Sequence, residues 1–230
     1  MESDVLAGRL ARVRERIEAA RERAGRTDAV TLVAVTKTHP PEVVRAAIAA
    51  GVADVGENRV QELAAKVDAV GRAAVRWHLI GHLQRNKVGR ALPLFDLLHS
   101  LDSVRLAQAL SAEAVKTGAT VRALVEVNSV GEESKEGLPA AEAVDAVGEM
   151  AALPGLELLG MMTMAPFTDD QTVVRRAFRT TRELAARAAR QVPGFRAEHL
   201  SMGMSNDFEI AVEEGATLVR VGSSIFGERG

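Results

Sequence analysis

One pattern restricts this chain more than any other: short apolar runs alternate with longer amphipathic stretches from residue 31 almost to the last residue. Eight runs read as strands: TLVAV (31–35), ADVG (53–56), RWHLI (76–80), LFDLLHS (94–100), VRALVEVN (121–128), LELLGMM (156–162), AEHLSM (197–202) and TLVRVG (217–222). Between them lie sets such as Val43, Ala46, Ala47 and Ala50, or Phe208, Ala211, Val212 and Gly215, spaced as one face of a helix. Strands apolar on both faces, each followed by a helix, belong in a parallel sheet covered on its outside. Eight such units in 230 residues predict an α/β fold of the closed (β/α)8 TIM barrel type, whose usual size is about 250 residues. An open doubly wound sheet would place G-x-G-x-x-G after its first strand, and no such motif follows residue 35. With no linker rich in Pro, Gly or Ser and no repeat, a single domain over 1–230 is expected.

Residues 1–26 stand outside the alternation. LAGRLARVRERIEAARERAGR sets Leu6, Leu10, Val13 and Ile17 on one stripe, while its arginines interleave with Glu15, Glu18 and Glu22. Ion pairs of that kind make a solvated outer face, so an extra N-terminal helix packed on the barrel is expected rather than a nucleic-acid or membrane helix. The charge balance agrees: 29 Lys and Arg against 31 Asp and Glu leave no basic surface for nucleic acid or anionic lipid. The absence of cysteine excludes disulfides, thiolate nucleophiles and Cys-based metal sites. The start, MESDVLAGRL, lacks the basic and apolar regions of a signal peptide, and no apolar stretch reaches the length of a membrane span, so a cytoplasmic protein is expected.

Chemistry gathers at strand ends. Alternation puts Lys37 on the side of Val33 and Val35, at the carboxyl end of the first strand, where a barrel carries its active site. Desolvation there favours the neutral amine, a nucleophile toward an aldehyde. SMGMSNDFE (201–209) and RVGSSIFG (220–227) each follow a strand and enter a helix. Their small residues let backbone N–H groups approach an anion, and Ser201, Ser205 and Ser223 add hydroxyls beside Gly222. Two such loops after the seventh and eighth strands match the phosphate position of a barrel. Asn206 and Glu209 have capping-box spacing. Arg220 shares a face with Leu218 and Gly222, points inward, and needs an acceptor, either an internal partner or a ligand atom such as a ring nitrogen. His78 and His82 have the spacing of a helical metal pair but bracket a strand end, so no metal site is expected. Lys135, in the charged loop GEESKEG (131–137), is a candidate by its place at the mouth; Met161, Met162 and Met164 read as core.

A reactive lysine, a phosphate cradle and an inward arginine match the imine carbon, phosphate and pyridine nitrogen of pyridoxal 5′-phosphate (PLP). The chain resembles the pyridoxal phosphate homeostasis proteins, relatives of the alanine racemase N-terminal barrel. The resemblance lies in VAVTKTHP, DVGENRVQE (54–62), WHLIGHLQRNK (77–87), HSLDS (99–103), VNSVGEESKEG (128–137), GMMTMAP (160–166), SMGMSNDFE and RVGSSIFGER. It implies PLP held as an imine by Lys37, Asn58 near the ring, Ser201, Ser205 and the backbone around Gly222 and Ser223 on the phosphate, and Arg220 at the pyridine nitrogen. It implies a monomer that buffers PLP and passes it to PLP-dependent apoenzymes. Racemase-type relatives use a second base, a tyrosine from a further domain. This chain has no tyrosine and stops after the barrel, so no robust racemase activity is expected. The alternatives are a weak PLP-dependent racemase and a barrel that binds some other phosphorylated metabolite.

Overall fold

The computed structural model describes residues 3–131 and 136–227. Among them are nine strands, β1 (Thr31–Val35), β2 (Asp54–Glu57), β3 (Arg76–Leu79), β4 (Leu97–Leu101), β5 (Val121–Asn128), β6 (Leu138–Pro139), β7 (Leu156–Met162), β8 (His199–Ser201) and β9 (Leu218–Val221). The sheet runs β4-β3-β2-β1-β9-β8-β7-β5, β4 also pairs with β5, and every pairing is parallel, so eight strands close into a TIM barrel. The two-residue β6 only extends β5 outward.

The helices around it are α1 (Ser3–Arg23), α2 (Pro41–Ala49), α3 (Val60–Val70), α4 (Val88–Ala91), α5 (Val104–Thr117), α6 (Ala143–Ala151), α7 (Gln171–Gln191), α8 (Phe208–Glu213) and α9 (Ser223–Phe226). Among the described residues no helix is long and apolar enough to cross a membrane. α1 buries Leu6, Leu10, Val13, Ile17 and Ala20 and lies against α2, α8 and α9.

Two differences between sequence and structure have a local physical cause. The fourth strand begins at Leu97 rather than Leu94, because Leu92–Leu94 make a turn of 3₁₀ helix around Pro93. The Asp96 carboxylate there accepts the Trp77 N–H at 2.7 Å and both arms of the Arg72 fork. The Asn206–Glu209 capping box does not form. The cap position of α8 falls one residue later, on Asp207, whose carboxylate accepts the Met204 N–H at 2.6 Å, while Glu209 pairs with Arg16 of α1.

Inside the barrel, Val33, Leu97, Leu124, Leu159, Met162 and Leu218 form one apolar cluster. Strand alternation returns to the interior two residues later. From Val33, Leu97, Leu124 and Leu218 that step reaches Val35, His99, Glu126 and Arg220, all of them buried. The layer nearer the carboxyl ends is therefore largely polar, and it forms the floor of the mouth.

Candidate functional site

A cavity of about 810 Å³ opens at the carboxyl ends of the strands, within the roughly 300–1,000 Å³ of small-molecule sites. Lys37 reaches it from the turn after β1. That turn stands on a buried platform. The Thr36 hydroxyl donates to Glu57 Oε1, and Lys66 Nζ donates to the Thr36 carbonyl at 2.7 Å and to Glu57 Oε1 at 2.5 Å. Glu57 and Lys66 are both buried, and burial raises the Glu57 carboxyl against the opposing bonds from Lys66 and Thr36. Thr38 sits at φ 68°, a left-handed conformation that a β-branched residue resists. Its N–H donates to Glu62 Oε2 at 2.9 Å, so the strained turn is held from both sides of Lys37.

Asn58 lines the cavity from the end of β2, with Ile80 and Gly81 from the end of β3 beside it. A Cβ on Gly81 would lie 2.3 Å from the Asn58 carbonyl oxygen, so only glycine lets the two chain ends approach this closely. The loops after β8 and β9 meet at Ser205. Its hydroxyl accepts the N–H groups of Gly222 at 3.3 Å and Ser224 at 3.4 Å, so two backbone donors at the start of α9 face one side-chain oxygen. Gly203 permits this fold-back: at φ 94°, a Cβ there would stand 2.5 Å from that of Ala211.

Arg220 forms part of the cavity floor and is 4% exposed. Its Nη1 donates to Ser201 Oγ at 2.5 Å and its Nη2 to the Thr163 carbonyl at 3.0 Å. Burial lowers its pKa to about 10 against the nearby charges of Glu126 and Asp207, which leaves it a cation at neutral pH. Glu126, 2% exposed, faces the same cavity. Burial raises its carboxyl to about 7, Glu136 and Asp102 add to the shift, and Arg220 and His82 oppose it.

Lys37, Asn58, Ser205, Arg220, Gly222 and Ser223 thus come together around one cavity. Ser201 does not join them. It is wholly buried among Arg220 and His99, because its side chain turns into the barrel and not toward the loop that follows. His78 is interior, bonded to Asp54 and His99, whereas His82 lies on the rim beside Asp102. Met161 and Met162 are core, and Met164 lines the cavity. Lys135 lies outside the described residues. Sequence reasoning missed Glu126, although the alternation that aims Arg220 inward aims Glu126 inward too.

Fold and mouth together define a class: (β/α)8 barrels with a lysine after the first strand and amide-lined turns after the last two. The family described as "Alanine racemase, N-terminal domain" matches residues 9–230. A pyridoxal phosphate homeostasis protein of Aquifex aeolicus is 43% identical over 222 residues, covering 96% of this chain and 97% of the relative. The chain belongs to the pyridoxal phosphate homeostasis protein family. A crystal structure of an unknown protein from Bifidobacterium adolescentis is similar at TM-score 0.92 and 43% identity, covering 97% of this chain and 95% of that one. PipY of Synechococcus elongatus with PLP bound is similar at TM-score 0.85 and 35% identity, covering 96% of this chain and 100% of that one.

Proposed function

We propose that this chain binds PLP through Lys37 and takes part in vitamin B6 homeostasis, as a cytoplasmic monomer that holds the reactive aldehyde and releases it to PLP-dependent apoenzymes. One observation carries the reading: an amine, a guanidinium and an amide-lined turn meet in a single cavity. PLP bound to PipY, a relative 35% identical to this chain, supports it. The residues fit the cofactor. Gly222 and Ser224 N–H groups that donate at 3.3 and 3.4 Å to a serine hydroxyl suit a phosphate, with Ser205 and Ser223 beside them. Asn58, which lines the cavity, would lie near the ring, and Arg220 would donate to the ring nitrogen. Ser201 supports Arg220 from below rather than touching the phosphate.

When bound, the cofactor supplies an electrophilic aldehyde carbon and an electron-withdrawing ring. A permanently charged Arg220 would give the ring nitrogen a hydrogen bond but no proton, which would weaken the ring as an electron sink. No tyrosine occurs among the 230 residues to act as a second base. Both points favour holding over catalysis.

The alternative, a PLP-dependent racemase or related enzyme of weak activity, draws support from Glu126, a carboxyl able to exchange a proton near neutral pH inside the cavity. Conversion of L-alanine to D-alanine, lost in both Lys37→Ala and Glu126→Gln, would establish it. The primary test is to add PLP, record a visible absorption band, reduce with borohydride and map the modified peptide. The label is expected on Lys37 and absent from Lys37→Ala. An unmodified segment 32–45 would refute the reading. Loaded protein mixed with an apoenzyme and a scavenger of free aldehyde should still restore the apoenzyme's activity.

A further inference from the structure

The polar groups inside the barrel form a chain that begins at the opposite end from the cavity. Arg76, at the start of β3, donates two bonds of 2.6 Å to the Asp54 carboxylate, at the start of β2. Asp54 Oδ1 lies 3.0 Å from His78 Nε2, and His78 Nδ1 lies 2.9 Å from His99 Nε2. His99 Nδ1 lies 2.8 Å from Ser201 Oγ, which accepts from Arg220 at 2.5 Å. Asp54, His78, His99, Ser201 and Arg220 are all buried, so each of their hydrogens needs an acceptor inside the protein.

Both ends of this chain are single-minded: a guanidinium only donates and a carboxylate only accepts. Burial opposes the charge on Asp54, but bonds from His78 and Arg76 outweigh it and hold the carboxyl down to about 2. Asp54 is therefore an acceptor at neutral pH. Because Ser201 accepts from Arg220, its own hydrogen goes to His99 Nδ1. His99 then carries its hydrogen on Nε2 and gives it to His78 Nδ1, and His78 carries its own on Nε2 and gives it to Asp54. Turning His99 to its other tautomer would strand the buried Ser201 hydrogen and require a doubly protonated His78 between Asp54 and His99. Burial, with the charge of Arg220, also lowers the His99 pKa well below the ordinary histidine value, so that ring is neutral.

We propose that Asp54, His78 and His99 are positioning residues for Arg220, a one-way hydrogen-bonded relay across the barrel interior that sets the aim of the guanidinium in the cavity floor. The Thr163 carbonyl restrains the second arm of the fork, so the relay decides how Arg220 presents itself to a ligand. Outer partners of metal ligands change affinity by about tenfold or more when removed, and an effect of that order is expected for the partners of Arg220. The consequence for PLP rests on the cofactor reading above; the relay itself does not.

Two measurements test it. In protein labelled with ¹⁵N-histidine and free of PLP, with resonances assigned through His78 and His99 variants, both rings should show the Nε2–H tautomer. A hydrogen on His99 Nδ1 would overturn the relay. In PLP titrations, Asp54→Asn and His99→Leu should keep the borohydride label on Lys37, shift the visible band of the bound cofactor and weaken binding about tenfold. His99→Gln, whose amide accepts at one end and donates at the other, should restore band and affinity. Wild-type band and affinity in Asp54→Asn and His99→Leu would refute the relay and leave the cofactor reading standing. No label in the wild type would refute the cofactor reading, while the tautomers still judge the relay.

Discussion

Glu126 shows how the burial of a single carboxyl can tie stability to pH. Its carboxyl is raised from 4.5 to about 7, burial being the largest cause, so between those values the folded chain holds a proton that the unfolded chain has released. Stability therefore falls as pH rises through that window, by roughly 3 kcal/mol in total, at about 1.4 kcal/mol per pKa unit. Glu126→Gln keeps the shape and removes the charge. It should raise unfolding free energy at pH 8 by about 2–3 kcal/mol and leave it nearly unchanged at pH 4, as read from urea denaturation at both pH values. Equal effects at the two values would mean that the carboxyl is not the buried, neutral acid described. Period-two alternation made the inward aim of Arg220 legible from RVG alone, and the same rule applies to Glu126. The placing of Ser201 was not legible, because loop composition says that hydroxyls are near an anion without saying which of them turns back into the barrel.

At the scale of elements, the turn after β1 is the part on which Lys37 depends. Its platform is a buried ion pair, Lys66 with Glu57, that also grips both the hydroxyl and the carbonyl of Thr36. Removing one partner of such a pair strands the other charge, so Lys66→Met should cost about 3–5 kcal/mol. Lys66→Met combined with Glu57→Gln should recover most of that loss, and urea unfolding of the two single variants and the double variant provides the cycle. A double variant as unstable as the sum of the singles would show that the two act independently. The next strand ends impose a second constraint. Gly81→Ala places a methyl 2.3 Å from the Asn58 carbonyl oxygen and must push Asn58 away. It is expected to weaken PLP binding at least tenfold with the Lys37 label retained, as measured by titration of the visible band; unchanged affinity would remove Asn58 from the site. The main strands could be read from the sequence because each is long enough to show its period. The turns and short helices across Arg85–Leu94 and the two-residue β6 are too short to carry one, and there local bonds such as those of Asp96 decide the path.

Across the whole molecule, α1 braces the elements that shape the amide-lined turns after β8 and β9. Arg16 stacks 4.6 Å over Phe208 and pairs with Glu209, Arg23 pairs with Glu213, and Arg26, just past the end of α1, donates to the carbonyls of Val212 and Ala216. Exposed pairs of this kind add little each, so the strength of the brace lies in the buried stripe of Leu6, Leu10, Val13, Ile17 and Ala20. That stripe was legible from its helical spacing; its seat against α8 and α9 was not, because spacing reveals which face is buried and not what covers it. Since α9 supplies the N–H groups of Gly222 and Ser224 through its first turn, loosening α1 should be felt at the cavity although no α1 residue lines it. Leu10→Ala should cost about 2–5 kcal/mol of stability as a buried truncation. Below the unfolding transition, it should also speed amide hydrogen exchange at Gly222 and Ser224 more than at the barrel strand positions Ala123 and Val125. Uniform acceleration at all four amides would mean that Leu10 contributes only to global stability, and that α1 does not hold the amide-lined turns in place.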